Sequence, residues 1–479
     1  MRFLRKFGLK TRVPLLFYLL IVVGICLTLL VFRNIENGRH NSQYYADRSH
    51  VDLERRWAEF SRHNADLFDD KHEGDYLSLN LLMYDGDSRG RHKNETLLAD
   101  RRRQDVADRL WQLRPQGDKL SQFNIVKPCT RPRHNITFLK IHKTGSSTVQ
   151  NMLLRYGRRH NLKFVLPPRG HYLGYPYFFQ KSNMLESPDG IYNIFCHHTR
   201  FNNHVITEIM PPNTIFVTIL RDPVTVFESA FTYFLIGRRC GYADDDPLAL
   251  QKFLEDPRAC YNRLTKRSHV RNNLFFDFGM EEGDFDSDEL IDNAIRMIDQ
   301  KFSLVMIAEY FEESIILLKN LLCWDFGDIK YFKMNARNEE SIKQVTDDMK
   351  RKILSWNSAD KRLYDYFNQT FWRKVKQYGL NEMTRDVSEL REINQLWKHK
   401  CLQSDEITEK GAGNFKIFQP PGVKINNFQL RPEAEHNTEC KMMVLPEIQF
   451  TSELRKRQFP QLQQQSPKRK RMNQRVLVL

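Results

Sequence analysis

Residues 136–154 read ITFLKIHKTGSSTVQNMLL, and the fold turns on this stretch. Ile136 to Ile141 is a largely apolar run that predicts a strand. A polar loop follows, His142-Lys143-Thr144-Gly145-Ser146-Ser147-Thr148, and then Val149, Met152 and Leu153 recur at the spacing of one helix face. A strand, a small-residue loop and a helix N-terminus make an anion cradle. The first N–H groups of the helix have no helical partner, and its dipole favours negative charge there. Gly145 permits close backbone approach. Thr144, Ser146, Ser147 and Thr148 offer hydroxyls, and Lys143 a cation. The residue order narrows the ligand, because a nucleoside-triphosphate loop reads G-x-x-x-x-G-K-[ST]. Here Lys143 precedes Gly145, which argues against an ATPase of that type.

A second stretch, residues 214–231, reads TIFVTILRDPVTVFESAF. Thr214 to Leu220 is β-branched and apolar, as suits a strand buried on both faces. Arg221-Asp222-Pro223 ends it, and proline suits the first turn of a following helix. Arg221 then stands at a strand's C-terminal end, where open α/β sheets bind ligands. Ser229 lies about two turns into the helix. Arg221 and Ser229 together can hold a second phosphate, the arginine through its bidentate fork.

The two stretches together resemble the sulfate-donor site of Golgi sulfotransferases. Further segments extend the likeness: LPPRGHYLGYPYFF, NIFCHHTRFN, RNNLFFDFG, LVMIAEYFEESIILLK, LYDYFNQTFW and VLPEIQF. From about Cys129 to Phe450 the chain resembles the galactose-3-O-sulfotransferase family, in which galactosylceramide sulfotransferase is a member. The resemblance implies an α/β, P-loop-like sulfotransferase fold with a largely parallel sheet. It implies 3′-phosphoadenylyl sulfate (PAPS) as donor, with Lys143, Thr144, Gly145, Ser146, Ser147 and Thr148 on the 5′-phosphosulfate and Arg221 and Ser229 on the 3′-phosphate. The acceptor it implies is the 3-hydroxyl of a terminal β-galactose on a glycolipid or glycoprotein glycan. Two readings from other classes are a uronyl or hexosamine glycosaminoglycan sulfotransferase and an inactive, lectin-like binder with the same fold.

Sulfuryl transfer needs charge stabilisation at the leaving oxygen, and Lys143 is the candidate. It also needs a base for the acceptor hydroxyl. His197 and His198 end the β-like run Ile191–Cys196, and a neutral imidazole can take the proton. Adjacent strand residues face opposite ways, so only one of them reaches the acceptor. Similarity to the catalytic histidine of uronyl 2-O-sulfotransferases favours His198. His142 is a third candidate. His171, Tyr172 and Tyr175 offer rings to a sugar face, and Arg271, Asn272, Asn273 and Asp277 can either line the acceptor pocket or tie a loop to the core. Glu309 ends the Phe302–Ala308 run, where a helix-capping role explains it equally well.

Residues 13–32, VPLLFYLLIVVGICLTLLVF, carry no charge and at helical rise span about 30 Å, one hydrocarbon core. Five basic residues precede the run, which places residues 1–12 in the cytosol and the remainder in the lumen. The expected order is a cytoplasmic tail (1–12), a signal anchor (13–32), a stem (33–128), the sulfotransferase domain (129–400), an extension (401–450) and a basic disordered tail (451–479). Together with the resemblance, this order implies a single-pass type II protein of the Golgi membrane. Asn94, Asn135 and Asn368 open glycosylation sequons. Arg101–Arg114 reads as a solvated helix, with helix pairing in a homodimer as the alternative. Of eight cysteines, Cys240 and Cys260, and Cys401 and Cys440, are plausible pairs, and Cys196 reads as a buried thiol. No cysteine–histidine cluster has zinc-ligand spacing, so no metal is expected. The net charge of +15 fits a polyanionic nucleotide ligand. Much of it lies in the membrane flank and in terminal runs, and a membrane anchor argues against nucleic acid as a partner.

Overall fold

Four short apolar runs become the strands β1 (Ile136–Leu139), β2 (Ile194–Phe195), β3 (Ile215–Leu220) and β4 (Leu304–Ile307). They form one parallel sheet in the order β2-β1-β3-β4. The register sets Leu220 opposite Ile307, so β3 and β4 end at one level, while β1 ends at Leu139, opposite Thr218, two residues earlier. Every residue of β1, β3 and β4 is buried, as parallel strands covered on both faces must be. The computed structural model describes residues 130–265, 267–337, 342–403, 425 and 428–461. It divides into two compact units; residues 380–388 belong to one, and all the other described residues, the candidate site among them, belong to the other.

Helices cover both faces. α1 (Ser146–Arg159) leaves the loop after β1, and α2 (Pro223–Tyr233) leaves the loop after β3. The start of α2 follows from its sequence: Asp222 accepts from the Thr225 N–H at 2.9 Å, and Pro223 fills the first turn. Next come α3 (Asn273–Asp277), α4 (Asp288–Lys301), α5 (Phe311–Leu322), α6 (Asp347–Trp356), α7 (Ser358–Tyr378) and α8 (Leu380–Cys401). Ser287 caps α4 and Thr346 caps α6. The largest fully buried side chains include Trp372, Phe138, Phe275 and Phe367, which join the sheet to α3 and α7.

Two departures concern the C-terminal part. Residues 162–166, LKFVL, read as a strand by their apolar pattern but reduce to a single bridge between Phe164 and Ile194. Its reason is a side chain. Gln458 accepts from the Phe164 N–H and donates to the Phe164 carbonyl, both at 2.9 Å, so an amide occupies the position of a neighbouring strand. Gln458 ends α10 (Glu447–Gln458), which follows α9 (Thr438–Val444). The disordered tail expected from 451 is therefore corrected: helix continues to Gln458 because Phe450, Thr451 and Leu454 bury their side chains. α9 is fixed by the Cys401–Cys440 disulfide and by Arg155 on α1, whose Nη1 lies 2.9 Å from Glu439 Oε1.

Cys240 and Cys260 are also bonded, Cys323 is in a disulfide, and Cys196 is a buried thiol. The segments 1–12, 13–32 and 33–128, with Asn94, lie outside the described residues. Among the described residues, no helix is long and apolar enough to cross a membrane.

Candidate active site

In the order β2-β1-β3-β4 the chain steps from β1 to one neighbour and then to the other. This makes a topological switch point between β1 and β3, where crevices open at strand C-termini. The loops after these two strands meet there: Arg221 Nη1 donates to the Lys143 carbonyl at 3.3 Å. Lys143 adopts φ +62°, a left-handed backbone that a side chain rarely takes. The turn sends His142 and Lys143 into different surroundings.

Lys143 enters a cationic wall. Its ammonium lies 3.7 Å above the Tyr233 ring. Burial lowers its pKa to about 7, helped by the nearby Arg337 and Arg221 and opposed by Glu228. Sequence reasoning missed Arg337 and Glu228. The Arg337 Nη1 donates to Glu228 Oε1 at 3.1 Å, and Nη2 pairs with the other oxygen. Ser229 follows Glu228 on α2 and is buried. Gly145 takes φ +77°, and open space surrounds its α-carbon where a side chain would stand. It begins α1 without any side-chain cap, so the first N–H groups face the loop mouth.

The loop hydroxyls fill a different role from the one expected. Thr144 Oγ1 and Ser146 Oγ both donate to the Ile141 carbonyl, at 3.1 and 2.7 Å. Each hydroxyl has one proton, so neither donates to an anion. Thr148 Oγ1 accepts from the Met334 N–H, and Ser147 Oγ accepts from Asn335. These hydroxyls shape the loop and dock residues 334–335 on it. That leaves the backbone N–H groups, Lys143 and the part-exposed Ser147 as the loop's groups suited to an anion.

His142 enters a neutral, aromatic wall. Its ring stacks on His198 with centroids 3.9 Å apart and planes 12° apart. Tyr175 and His269 each lie 4.5 Å away. His198 Nδ1 is 2.9 Å from the Lys140 carbonyl. A carbonyl only accepts, so Nδ1 carries the proton and Nε2 keeps its lone pair. Burial holds the pKa of both His142 and His198 well below the usual imidazole value; for His198 the adjacent His142 and then Lys140 add to it. Both rings are therefore neutral at pH 7. Asp277 Oδ2 sits 2.8 Å from His142 Nδ1 and accepts from the His142 backbone N–H at 2.9 Å. Burial pushes this carboxyl up. His142 Nε2 is buried without a hydrogen-bond partner, whereas His198 retains 8 % exposure.

His197 is removed from the catalytic candidates. It turns to the opposite side, as strand alternation requires, and its Nε2 meets Thr451 Oγ1 of α10 at 2.9 Å. Behind the site, the fully buried Lys140 pairs with Glu447 of α10. Burial alone would raise the Glu447 carboxyl, but Lys140, His171 and His197 together outweigh it and bring the pKa to about 2. Gln150 donates to Glu447 and to the Cys196 carbonyl. Arg271 pairs with Asp286, and Asn272 bonds to Asn357 and Asp360, so these two tie the loop to the core. Glu309 accepts from the Asp222 N–H and from Tyr364, also a structural role. The Asn135 amide is shared between Asn213 and Asn193, and Asn368 lies within α7 with its oxygen buried. No group of His, Cys, Asp or Glu suited to a metal ion occurs among the described residues.

A parallel sheet with a cationic loop at its switch point and an imidazole beside it suits a group-transfer enzyme. The galactose-3-O-sulfotransferase family model matches residues 111–458, and the chain belongs to that family. It is an enzyme of the sulfotransferase class. The chain is 36 % identical to galactosylceramide sulfotransferase of Mus musculus over 324 residues, 66 % of this chain and 76 % of the relative. It is 38 % identical to the Homo sapiens protein of that name over 294 residues, 60 % and 69 %. Galactose-3-O-sulfotransferase 2 of Mus musculus is 33 % identical over 323 residues, 64 % and 80 %.

Proposed function

We propose that this enzyme moves a sulfuryl group from PAPS to the 3-hydroxyl of a terminal β-galactose on a glycolipid or glycoprotein glycan. The observation that carries the reading is the division at His142–Lys143, which puts cations on one side of a dipeptide and neutral imidazoles on the other. Lys143, Arg221 and Arg337, with the open backbone at Gly145, suit a bisphosphorylated nucleotide. The names of the relatives supply galactose and its 3-position.

When bound, PAPS supplies the sulfuryl group on a phosphate leaving group. Lys143 places its ammonium where charge develops on that phosphate. The N–H groups after Gly145 hold the phosphate oxygens. His198 Nε2 accepts the proton of the sugar hydroxyl as the new S–O bond forms, and Nδ1–H stays on the Lys140 carbonyl. Arg221 braces the Lys143 carbonyl and, with Ser229, faces the 3′-phosphate. The uncharged run 13–32 and its basic flank support a signal anchor in the Golgi membrane with this domain lumenal.

Transfer of labelled sulfate from PAPS to β-galactosides, compared with heparan and chondroitin polymers, tests the assignment. Galactosides should be sulfated and the polymers not; the reverse pattern overturns the acceptor. Adenosine 3′,5′-bisphosphate binding without any transfer would show a binder instead of an enzyme.

A further inference from the structure

The cluster of rings around His142 has one part-exposed member, Tyr172, which lies beside the stacked His142–His198 pair. Tyr172 stands 5.5 Å from His198 and 6.0 Å from His142, its plane within 29° and 18° of theirs. It is 38 % exposed, while the two imidazoles beside it are buried. The next ring, Tyr175, is tied by its hydroxyl to His269 at 3.2 Å, and no side-chain hydrogen bond of this kind anchors Tyr172 among the described residues. Its backbone, in contrast, is fixed. Tyr172 pairs with His198 in a parallel bridge, the Leu173 N–H donates to the His198 carbonyl at 2.8 Å, and Thr199 Oγ1 donates to the Leu173 carbonyl at 2.8 Å. The same main-chain contacts thus set the position of the base and of a part-exposed aromatic ring, with the His171 ring 4.3 Å from it. Burial raises the phenol pKa, which keeps the ring neutral.

We propose that Tyr172 is the stacking platform for the acceptor's galactose ring, and that it presents the 3-hydroxyl to His198. This deepens the function proposed above and rests on it. The axial 4-hydroxyl of β-galactose occupies one face of the sugar and leaves C–H groups at carbons 3, 4 and 5 as a continuous apolar patch on the other. Only that patch can lie on an aromatic ring without stranding a hydroxyl on it. The 3-hydroxyl is equatorial, so in a stacked sugar it projects sideways from the ring edge. His198 lies sideways of Tyr172, one ring away. A flat, neutral, rigidly mounted ring next to the base therefore both binds galactose and chooses which oxygen reaches the imidazole.

The test uses the full enzyme with PAPS and octyl β-galactoside. Wild type must first sulfate this acceptor, and failure there rejects the function while saying nothing against the ring. Tyr172→Ala should then raise the acceptor KM about ten-fold or more, the scale of one lost aromatic contact. Its affinity for adenosine 3′,5′-bisphosphate should be unchanged, which shows that the site is folded. Tyr172→Phe and Tyr172→Trp should keep a KM near wild type. An unchanged KM in Tyr172→Ala overturns the proposal. So does a Tyr172→Phe variant as impaired as alanine, which would assign binding to the hydroxyl. A Tyr172→Leu variant as good as phenylalanine would show that bulk suffices without a ring, and overturns it also.

Discussion

Two walls leave one dipeptide, and they are electrostatic opposites. The wall of Lys143 holds Arg221, Arg337 and one carboxylate, Glu228. The wall of His142 holds imidazoles and phenols whose burial keeps them uncharged. The first can neutralise a polyanion, and the second offers a neutral base, with the cation behind it, Lys140, paired to Glu447. A lysine moved to the imidazole side would depress the base further, and an imidazole moved to the cationic side would do little for phosphate. Their separation is a matter of backbone: the left-handed turn at Lys143, braced by Arg221 at its carbonyl, keeps adjacent side chains apart.

The largest effect expected from breaking this division is on the neutral wall. His198→Ala should lower kcat by about 10²–10⁴, the usual worth of a positioned base, with adenosine 3′,5′-bisphosphate binding retained. Because burial and His142 hold the His198 pKa well below its usual value, the base is unprotonated throughout neutral pH. The acid limb of kcat should therefore lie well below pH 6.5, the unperturbed histidine value. Single-turnover transfer measured across pH checks both points. If His142→Ala proves more damaging than His198→Ala, the base is the histidine bonded to Asp277.

Lys143→Ala breaks the other wall. Removing one positioned charge at a developing oxyanion costs about 10²–10³ in kcat, and both turnover and nucleotide binding should fall. That joint loss is the contrast with His198→Ala. Near-normal activity would remove Lys143 from the donor site.

Much of the cationic wall and the fold was legible because its parts are contiguous. A strand, a polar loop and a helix within nineteen residues leave a periodic trace, and Arg221 ends a run of buried β-branched residues. The roles of the loop hydroxyls were not legible. Sequence shows Ser146, but not that the Ile141 carbonyl takes its proton. Asp277 reaches His142 across 135 residues, and Glu447 reaches Lys140 across 307. No local period marks such pairs, since packing alone brings them together. Gln458 was missed for the same reason: a side chain stands in for a strand.

Arg337 sharpens the comparison with a smaller effect. Its guanidinium is held by Glu228, yet it stands close enough to depress the Lys143 pKa. Arg337→Gln should weaken adenosine 3′,5′-bisphosphate binding by about ten-fold, the scale of one charge-assisted hydrogen bond, and leave the acceptor KM near wild type. Calorimetry of nucleotide binding, paired with acceptor kinetics, separates these. An acceptor KM that rises while nucleotide binding holds would assign Arg337 to the wrong wall.

The smallest effect is a pH dependence of donor binding. In the free enzyme burial and two arginines bring Lys143 to about 7, below its ordinary value of 10.5. A polyanion prefers the protonated ammonium, so binding raises that pKa and draws in a proton. The sign follows: affinity is full below pH 7, where Lys143 is already charged. It falls as pH rises above 7, by at most ten-fold per unit, until the pKa of the complex is passed. The nucleotide's own phosphates are largely ionised by then, with a second pKa near 6, so they do not mask the trend. Titrating adenosine 3′,5′-bisphosphate from pH 6 to 9 reads it directly, and Lys143→Arg, charged throughout, should flatten the profile. A flat profile in the wild type would mean that Lys143 keeps its full charge without the donor, and that the cationic wall is wetter than its burial implies.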